Sequence, residues 1–302
     1  IALAQVADRL GRFDRLWFAE HHNMSSIASA ATSVLIGHVL AATQTIRVGS
    51  GGVMLPNHSP LVIAEQFGTL AELYPDRVDL GLGRAPGTDQ VTLRALRRSP
   101  NDADAFPHDI RELQGYLGAD GVGGIHAVPG QGTNVPLWIL GSSMFGATLA
   151  AAFGLPYAFA SHFAPDALVP ALHTYREQFQ PSAQLARPYA IAALNVVLDE
   201  SAAAAQERAE SVLRARVRSL AGRMPQFAGS LSDEVVDALM SSPVADQARH
   251  MMTYTAVGDV EQVGGYLRTF QSECGADELM VTNPGPGYEA RTRTLELLAT
   301  IG

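Results

Sequence analysis

The chain has 302 residues, of which 47% are hydrophobic and 17% are charged, and its formal net charge is −9. An acidic chain of this composition is a poor partner for nucleic acid or an anionic membrane surface, so we expect neither. Cys274 is the single cysteine, which excludes an intramolecular disulfide and a cysteine-cluster metal site. No apolar run reaches the roughly 18 residues that span a bilayer, and no signal peptide is visible, so we expect a soluble cytoplasmic protein.

Short apolar runs alternate with helical periodicity along the chain, which is typical of a parallel α/β fold. Seven strands are predicted, at 16–19, 46–48, 77–83, 136–140, 157–160, 189–198 and 278–281. Because a helical pattern ended by Gly11 comes first, we expect the first strand of the fold to precede residue 1. Eight strands in total predict a TIM (β/α)8 barrel that forms a single domain over residues 1–302.

The helices follow the strands in order. They are predicted at 27–43, 60–74, 107–117, 147–153, 165–178, 202–220, from 259, and from 288 to the end. The face of helix 27–43 that includes His38 is predicted to be buried, which makes His38 a core residue. Residues 84–106 are predicted to be a long loop. Residues 222–253 have weak periodicity and predict an insertion, either a lid over the active face or an oligomer contact.

Three clusters of unusual residues stand at the carboxyl ends of predicted strands, where α/β proteins bind their ligands. The first is Glu20-His21-His22, an acid and two imidazoles that can hydrogen-bond a ring system or transfer protons. Adjacent histidines on a strand point to opposite faces, so one of the two is expected in the pocket. No further ligand stands at zinc-binding spacing nearby, so no metal site is predicted.

The second cluster is glycine-rich, and the third ends in an arginine. Gly51 and Gly52 predict either a bulge or backbone that lies close to a flat ligand. Arg84 predicts an anion-binding site, and the alternative is that it forms a salt bridge to Asp79 or Asp89.

A fourth feature, the Gly-Ser-Ser at 141–143, precedes a predicted helix. Free backbone amides and two hydroxyls there make a phosphate site, although a simple helix cap explains the same residues.

These motifs, taken together and in this order, resemble the bacterial luciferase-like flavin monooxygenase superfamily. The segments that carry the resemblance are 16–22, 48–56, 77–84, 138–143, 160–165 and 257–259. Ala-Glu-His-His-Asn-Met followed by Leu-Gly-Leu-Gly-Arg-Ala-Pro-Gly is particularly similar to the broad group of uncharacterised monooxygenases in that superfamily. The resemblance covers nearly the whole chain except residues 222–253.

The resemblance implies a TIM barrel that binds reduced FMN, receives it from a separate flavin reductase, and uses O2. It makes His21 the catalytic residue and a non-prolyl cis peptide between Gly51 and Gly52 the backbone beside the flavin ring. The residues expected to bind the cofactor are Glu20, Gly51, Gly52, Arg84, Gly141, Ser142, Ser143 and Ser161. Gly83 occupies the position of the reactive cysteine of the luciferases, so neither light emission nor a long-chain aldehyde substrate is expected.

The leading hypothesis is an FMN-dependent monooxygenase that acts on an apolar organic small molecule and forms a homodimer. Helix 27–43, which is rich in Ala and Ser, is the expected dimer contact. One alternative is an F420-dependent oxidoreductase on the same barrel. A second alternative, from a different class of protein, is a non-catalytic flavin-binding partner.

Overall fold

The computed structural model describes residues 1–24, 26–85, 87–224, 227 and 231–302. The strands in these residues are β1 (Arg15–Phe18), β2 (Arg47–Met54), β3 (Val78–Gly83), β4 (Leu137–Gly141), β5 (Tyr157–Phe159), β6 (Ala190–Leu198), β7 (Thr255–Gly258) and β8 (Glu278–Thr282). The helices are α1 (Ala2–Leu10), α2 (Thr32–Ala42), α3 (Pro60–Leu73), α4 (Gln90–Ala95), α5 (Phe106–Leu117), α6 (Met144–Phe153), α7 (Leu168–Gln178), α8 (Ala202–Ala221), α9 (Asp233–Leu239), α10 (Pro243–Met251), α11 (Val260–Cys274) and α12 (Gly287–Leu298). Helices follow strands throughout, as predicted.

The contacts within the chain divide it into two compact units. The first comprises Ile1–Gly141, Phe145–Ala158 and Tyr175–Tyr189. The second comprises Ser142–Met144, Phe159–Thr174 and Ala190–Gly302. Each unit has its own parallel strands. None of the helices in the described residues is long and apolar enough to cross a membrane.

Strands β1 to β4 of the first unit pair in chain order, and every pairing is parallel. All six residues of β3 are buried, including Asp79. The carboxylate of Asp79 accepts hydrogen bonds from Arg15 Nη1 at 2.8 Å, Trp17 Nε1 at 3.1 Å and Arg47 Nε at 3.0 Å. A buried charge is tolerated only with such partners, so the charged residues at the starts of β1 and β2 hold β3 in register with them.

Strand β6 organises the second unit. All nine of its residues are buried, and it pairs in parallel with both β7 and β8. Asn195 stands where these two pairings meet. Its Nδ2 donates to the backbone oxygen of His162 at 2.8 Å, and its Oδ1 accepts from Thr282 Oγ1 at 2.7 Å. This buried amide therefore fixes the chain after β5 relative to β6 and β8.

Residues 222–253 are more regular than the sequence indicated, because they contain α9 and α10. Their apolar side chains pack against the end of α8 in a separate small core, formed by Val217, Ala221, Leu231, Val236, Ala245 and Ala248. Ion pairs from α8 support the same contact, Arg214 with Asp237 and Arg218 with Asp233. The weak periodicity of the sequence reflects two short helices separated by turns.

Three further expectations about the elements were wrong. Residues 84–106 contain α4 and a short 3-10 helix, Pro100–Ala105, so they are not a structureless loop. A strand at Thr255–Gly258 was not predicted, because four residues give too short a pattern. His38 is exposed, because the buried face of α2 contains Thr32, Ile36, Val39 and Leu40.

Candidate active site

A carboxylate at the end of β1 is the centre of a buried hydrogen-bond network in the first unit. Glu20 is 1% exposed. Its Oε1 accepts hydrogen bonds from His22 Nε2 and His58 Nε2, each at 2.8 Å. Its Oε2 accepts from the backbone amide of Met54 at 3.1 Å. Because β1 and β2 are neighbours, their carboxyl ends bring together residues that are more than thirty positions apart in the chain.

Burial alone would raise the pKa of Glu20, because it penalises the charged form. The hydrogen bonds from His58, His22 and Met54 outweigh burial, and the pKa of Glu20 is lowered. Glu20 is therefore an anion at neutral pH, and both imidazoles donate to it.

The atoms of Glu20, His22 and His58 also have the spacing of a metal-binding group. The prediction against zinc assumed that no third ligand stood nearby, and that premise was wrong because His58 completes the group. Both oxygens of Glu20 are, however, satisfied by donors within the protein.

The imidazole of His21 has a different environment from that of its neighbour. Its Nδ1 lies 3.0 Å from the backbone oxygen of Gly87. A carbonyl oxygen only accepts, so Nδ1 carries the proton and Nε2 of the neutral ring keeps a lone pair. Gly87 has a φ of 62°, a conformation that glycine adopts without strain, and a Cβ there would meet the backbone oxygen of Glu20 at 3.1 Å. The Gly87 turn thus fixes both the ring of His21 and its tautomer.

The backbone of β2 is irregular next to this cluster. The peptide bond between Gly51 and Gly52 is cis, as the resemblance implies. The register between β2 and β3 shifts between Ser50 and Val53, which matches the bulge expected from the glycines. A Cβ on Gly52 would lie 2.7 Å from the backbone oxygen of Gly81, so strand packing by itself requires glycine here.

Arg84 follows β3 and is exposed. Its guanidinium lies over the ring of Phe145, 4.0 Å from the centroid, at the first turn of α6. Neither proposed salt bridge forms, since Asp79 is bound by Arg15 and Arg47, and Asp89 caps α4 by accepting from the Thr92 amide. Within the described residues no side chain forms an ion pair with Arg84. Its position is fixed by an aromatic ring, and its charge is available to a ligand.

The remaining candidates lie around the starts of α6 and α7. Gly141 ends β4 and packs closely against Gly146 of α6, where a Cβ would meet the Cα of Gly146 at 3.4 Å. Ser142 and Ser143 are exposed and precede α6. Ser161 is fully buried, and its hydroxyl donates to the backbone oxygen of Ala193 at 2.5 Å. The geometry therefore makes Ser142 and Ser143 accessible to a ligand but uses Ser161 to join β5 to β6.

Comparison with known proteins assigns this arrangement to a family. The sequence matches the family described as luciferase-like monooxygenase over residues 1–278. It is similar to a protein of Escherichia coli (strain K12) named luciferase-like monooxygenase, with 48% identity over 297 residues, which cover 98% of this chain and 88% of the relative. The chain belongs to the luciferase-like monooxygenase family. It is accordingly an oxidoreductase of the monooxygenase type.

Solved structures support the same family and fold. The crystal structure of apo-MsnO8 is 35% identical, covers 99% of this chain and 90% of its own, and superposes with a TM-score of 0.84. Two more distant structures share the fold. The oxygenating constituent of 3,6-diketocamphane monooxygenase of Pseudomonas putida, solved in complex with FMN, has a TM-score of 0.70 at 16% identity and covers 99% and 90% of the two chains. An F420-dependent secondary alcohol dehydrogenase has a TM-score of 0.71 at 19% identity and covers 100% and 94%. The α/β fold of this luciferase-like chain is thus the (β/α)8 barrel type expected from its sequence.

The sequence did not predict two residues of this candidate site. His58 shares Glu20 with His22, and Gly87 holds the ring of His21. His58 stands in a Leu-Pro-Asn-His-Ser-Pro stretch directly after β2. Its position at a strand end, next to the glycines already singled out, was a usable signal.

Proposed function

We propose that this chain is an FMN-dependent monooxygenase that acts on an organic small molecule and obtains reduced FMN from a separate flavin reductase. Membership of the luciferase-like monooxygenase family supports the reaction class. The observation that carries the choice of a phosphorylated cofactor is Arg84, an exposed guanidinium at a strand end with no ion-pair partner among the described residues. Reduced FMN, when bound, would supply the electrons for activating O2.

Arg84 fits the phosphate of such a cofactor by its chemistry. A guanidinium is always charged and presents a planar fork of donors that matches phosphate oxygens. The ring of Phe145 restrains this side chain before any ligand binds, so less conformational entropy is lost on binding. The resemblance assigns the same ligand to Ser142 and Ser143, whose hydroxyls and backbone amides stand at the start of α6.

His21 is proposed to hold or move a proton at its Nε2. The Gly87 carbonyl fixes the proton of the neutral ring on Nδ1, so Nε2 is the atom that can accept a proton or a hydrogen bond. Glu20, held by His22, His58 and the Met54 amide, is proposed to anchor the chain on both sides of the cofactor. Gly51 and Gly52, joined by the cis peptide, are proposed to lie against the flat ring.

The test is a titration of the purified chain with FMN and, in parallel, with F420. We expect FMN to bind, and Arg84→Ala to weaken its affinity by about tenfold or more, because a charge-assisted pair contributes about 1.5–3 kcal/mol. Arg94→Ala is the matched control, since Arg94 is an exposed arginine of α4 in the same region and is expected to bind FMN like the wild type. An Arg84 variant with unchanged FMN affinity contradicts the assignment. Tighter binding of F420 than of FMN would instead support the F420-dependent alternative.

We also propose a homodimer formed through the outer face of α2. Val34 on that face is a large apolar side chain that is 72% exposed, and a dimer contact there would cover it. Light scattering is expected to give twice the chain mass of 32.0 kDa. Val34→Glu should produce the monomer mass, and a dimer that persists in this variant rules out α2 as the contact.

A further inference from the structure

Three side chains that can bind a metal ion come together after the ends of β1 and β2. Glu20 Oε1, His22 Nε2 and His58 Nε2 all lie within 4.8 Å of one another. Each imidazole nitrogen is 2.8 Å from the same carboxylate oxygen. Within the residues that the structure describes, no second group of three such side chains comes this close together. Two histidines and one carboxylate are thus gathered around one oxygen atom.

The backbone next to both histidines is held in place by hydrogen bonds of its own. The amide of His58 donates to the backbone oxygen of Leu55 at 2.9 Å. The backbone oxygen of His22 accepts from Thr88 Oγ1 at 3.1 Å. Because these bonds do not involve the imidazole rings, the positions of the two rings do not depend on the carboxylate alone. A metal ion would therefore meet ligands that are already arranged for it.

The charge and the spacing of the cluster suit a divalent transition metal. Glu20 is an anion, and its Oε2 accepts from the Met54 amide, so Oε1 is the oxygen left for an ion. One carboxylate with two imidazoles is a donor set that suits zinc. Tetrahedral zinc with bonds of about 2.0–2.1 Å separates its ligand atoms by about 3.3 Å. Each distance of 2.8 Å therefore has to open by about half an ångström, which small side-chain rotations supply.

An ion can reach the cluster from the histidine side. The side chains of His22 and His58 are 17% and 29% exposed, whereas that of Glu20 is 2% exposed. A bound ion would have the buried carboxylate on one side and solvent on the other. Three protein ligands with one position open to water are the pattern of zinc sites that keep a water molecule.

We propose that Glu20, His22 and His58 bind a divalent transition metal such as Zn²⁺ through Oε1 and the two Nε2 atoms. Without the ion, each Nε2 carries the hydrogen that it donates to Glu20. When the ion binds, each ring takes its other neutral tautomer, with the hydrogen on Nδ1 and the Nε2 lone pair on the metal. No proton leaves the cluster, and two hydrogen bonds are exchanged for three bonds to the metal. The site is additional to the proposed function and does not depend on FMN.

The test is calorimetric titration of the wild-type chain with Zn²⁺, after treatment with EDTA and dialysis and with no flavin present. We expect one Zn²⁺ to bind per chain. His58→Gln should weaken the affinity by about 100-fold or more, because even the loss of a residue that only orients a metal ligand costs about 10–100-fold. Glutamine keeps an NH2 group that can donate to Glu20, so this variant is expected to fold. His126→Gln, the same substitution at an exposed histidine, is the control and should bind Zn²⁺ like the wild type.

Cobalt gives a second measurement, which reports on the ligands and not on affinity alone. The visible spectrum of Co²⁺ changes when protein nitrogen and carboxylate ligands replace water and alter its geometry. We expect the wild-type chain and His126→Gln to change this spectrum from that of the hydrated ion. His58→Gln and His22→Gln should leave it unchanged.

Three results would overturn the proposal. The first is that Zn²⁺ in excess over the wild-type chain does not bind, and the second is that His58→Gln keeps the wild-type affinity. The third is that His108→Gln loses the affinity instead, which would place the ion at the exposed pair of His108 with Glu112 as an adventitious ion only. Because both titrations are made without FMN, their outcome is independent of the Arg84 titration. A failure of the cofactor assignment and a failure of the metal site therefore give different results.

Discussion

Substitution of Glu20 by Gln is the sharpest test of the network at the end of β1. The side chain keeps its size, but one of its two acceptor oxygens becomes an NH2 donor. In wild-type protein Oε1 accepts from both His22 and His58, and Oε2 accepts from the Met54 amide. Whichever way the amide of Gln is oriented, its NH2 faces at least one of these donors.

The magnitude follows from the number of donors that lose their acceptor. If the Gln oxygen faces the two imidazoles, the Met54 amide is left unsatisfied. If it faces Met54, both imidazoles must change tautomer or lose their bond. A buried donor without an acceptor costs about 1–3 kcal/mol, and the lost anion adds to this because hydrogen bonds to charged groups are the stronger ones. We therefore expect Glu20→Gln to lower the free energy of unfolding by about 2–4 kcal/mol at pH 7.

The assay is urea unfolding followed by circular dichroism, with Glu72→Gln on the exposed side of α3 as the control that should change little. The pKa of Glu20 is lowered in the folded chain, so its contribution is present above the unfolded value of about 4.3 and is lost as the pH falls through the folded value. The difference between wild type and Glu20→Gln should accordingly shrink below about pH 4. A stability loss under about 0.5 kcal/mol at pH 7, which is the level of an ordinary surface substitution, would refute the network.

Two further predictions concern His21 and Asp8. His21→Asn keeps an amide that can donate to the Gly87 carbonyl but lacks Nε2. We therefore expect the variant to keep its FMN affinity and to lose about 10²-fold or more of its turnover rate, with His108→Asn as the exposed control. A variant with the full turnover rate would show that His21 does not take part in the chemistry. Burial alone would raise the pKa of Asp8, but hydrogen bonds from the residues that lead into β2 lower it to about 2. The contribution of Asp8 to stability is therefore present above about pH 4 and is lost as the pH falls towards 2. Asp8→Asn should lower the free energy of unfolding at pH 7 by about 1 kcal/mol, a value discounted for partial exposure, and its stability in urea titrations should depend less on acid. Equal acid dependence of the two proteins would contradict this.

The sequence predicted those features that depend on local pattern and on the geometry of a parallel sheet. Helix α3 is one case, since it was predicted at 60–74 and its residues Ile63, Phe67 and Leu70, which follow helical spacing, are buried. The start of α11 is another, because the helix predicted from 259 begins there and Asp259 caps it by accepting from the Gln262 amide. The positions of Glu20 and Arg84 after the ends of β1 and β3 also follow from alternation alone. Gly51 was expected beyond a strand end but lies inside β2, because that strand continues to Met54.

The face of α2 could not be predicted in the same way. The helix is apolar almost all around, so hydrophobic periodicity does not identify its buried side. Ile36 and Val39 are fully buried, whereas Val34, which has the same chemistry, is 72% exposed. What decides between these faces is the packing of α2 against β2 and α3, which is tertiary information.

The sequence also could not predict which residues distant in the chain form ion pairs. Arg84 and Arg216, which form none among the described residues, illustrate why. The sequence places Arg84 at a strand end and so predicts that it binds an anion. It gives no reason to expect a different environment for Arg216 than for the other arginines of α8. The difference arises only when the helix turns Arg214 and Arg218 towards the acids of α9 and leaves Arg216 on the buried side. An arginine with a counterion explains itself by its ion pair. Arg84 has no ion pair among the described residues, and the proposed function explains its position at a strand end by a phosphate that it would bind.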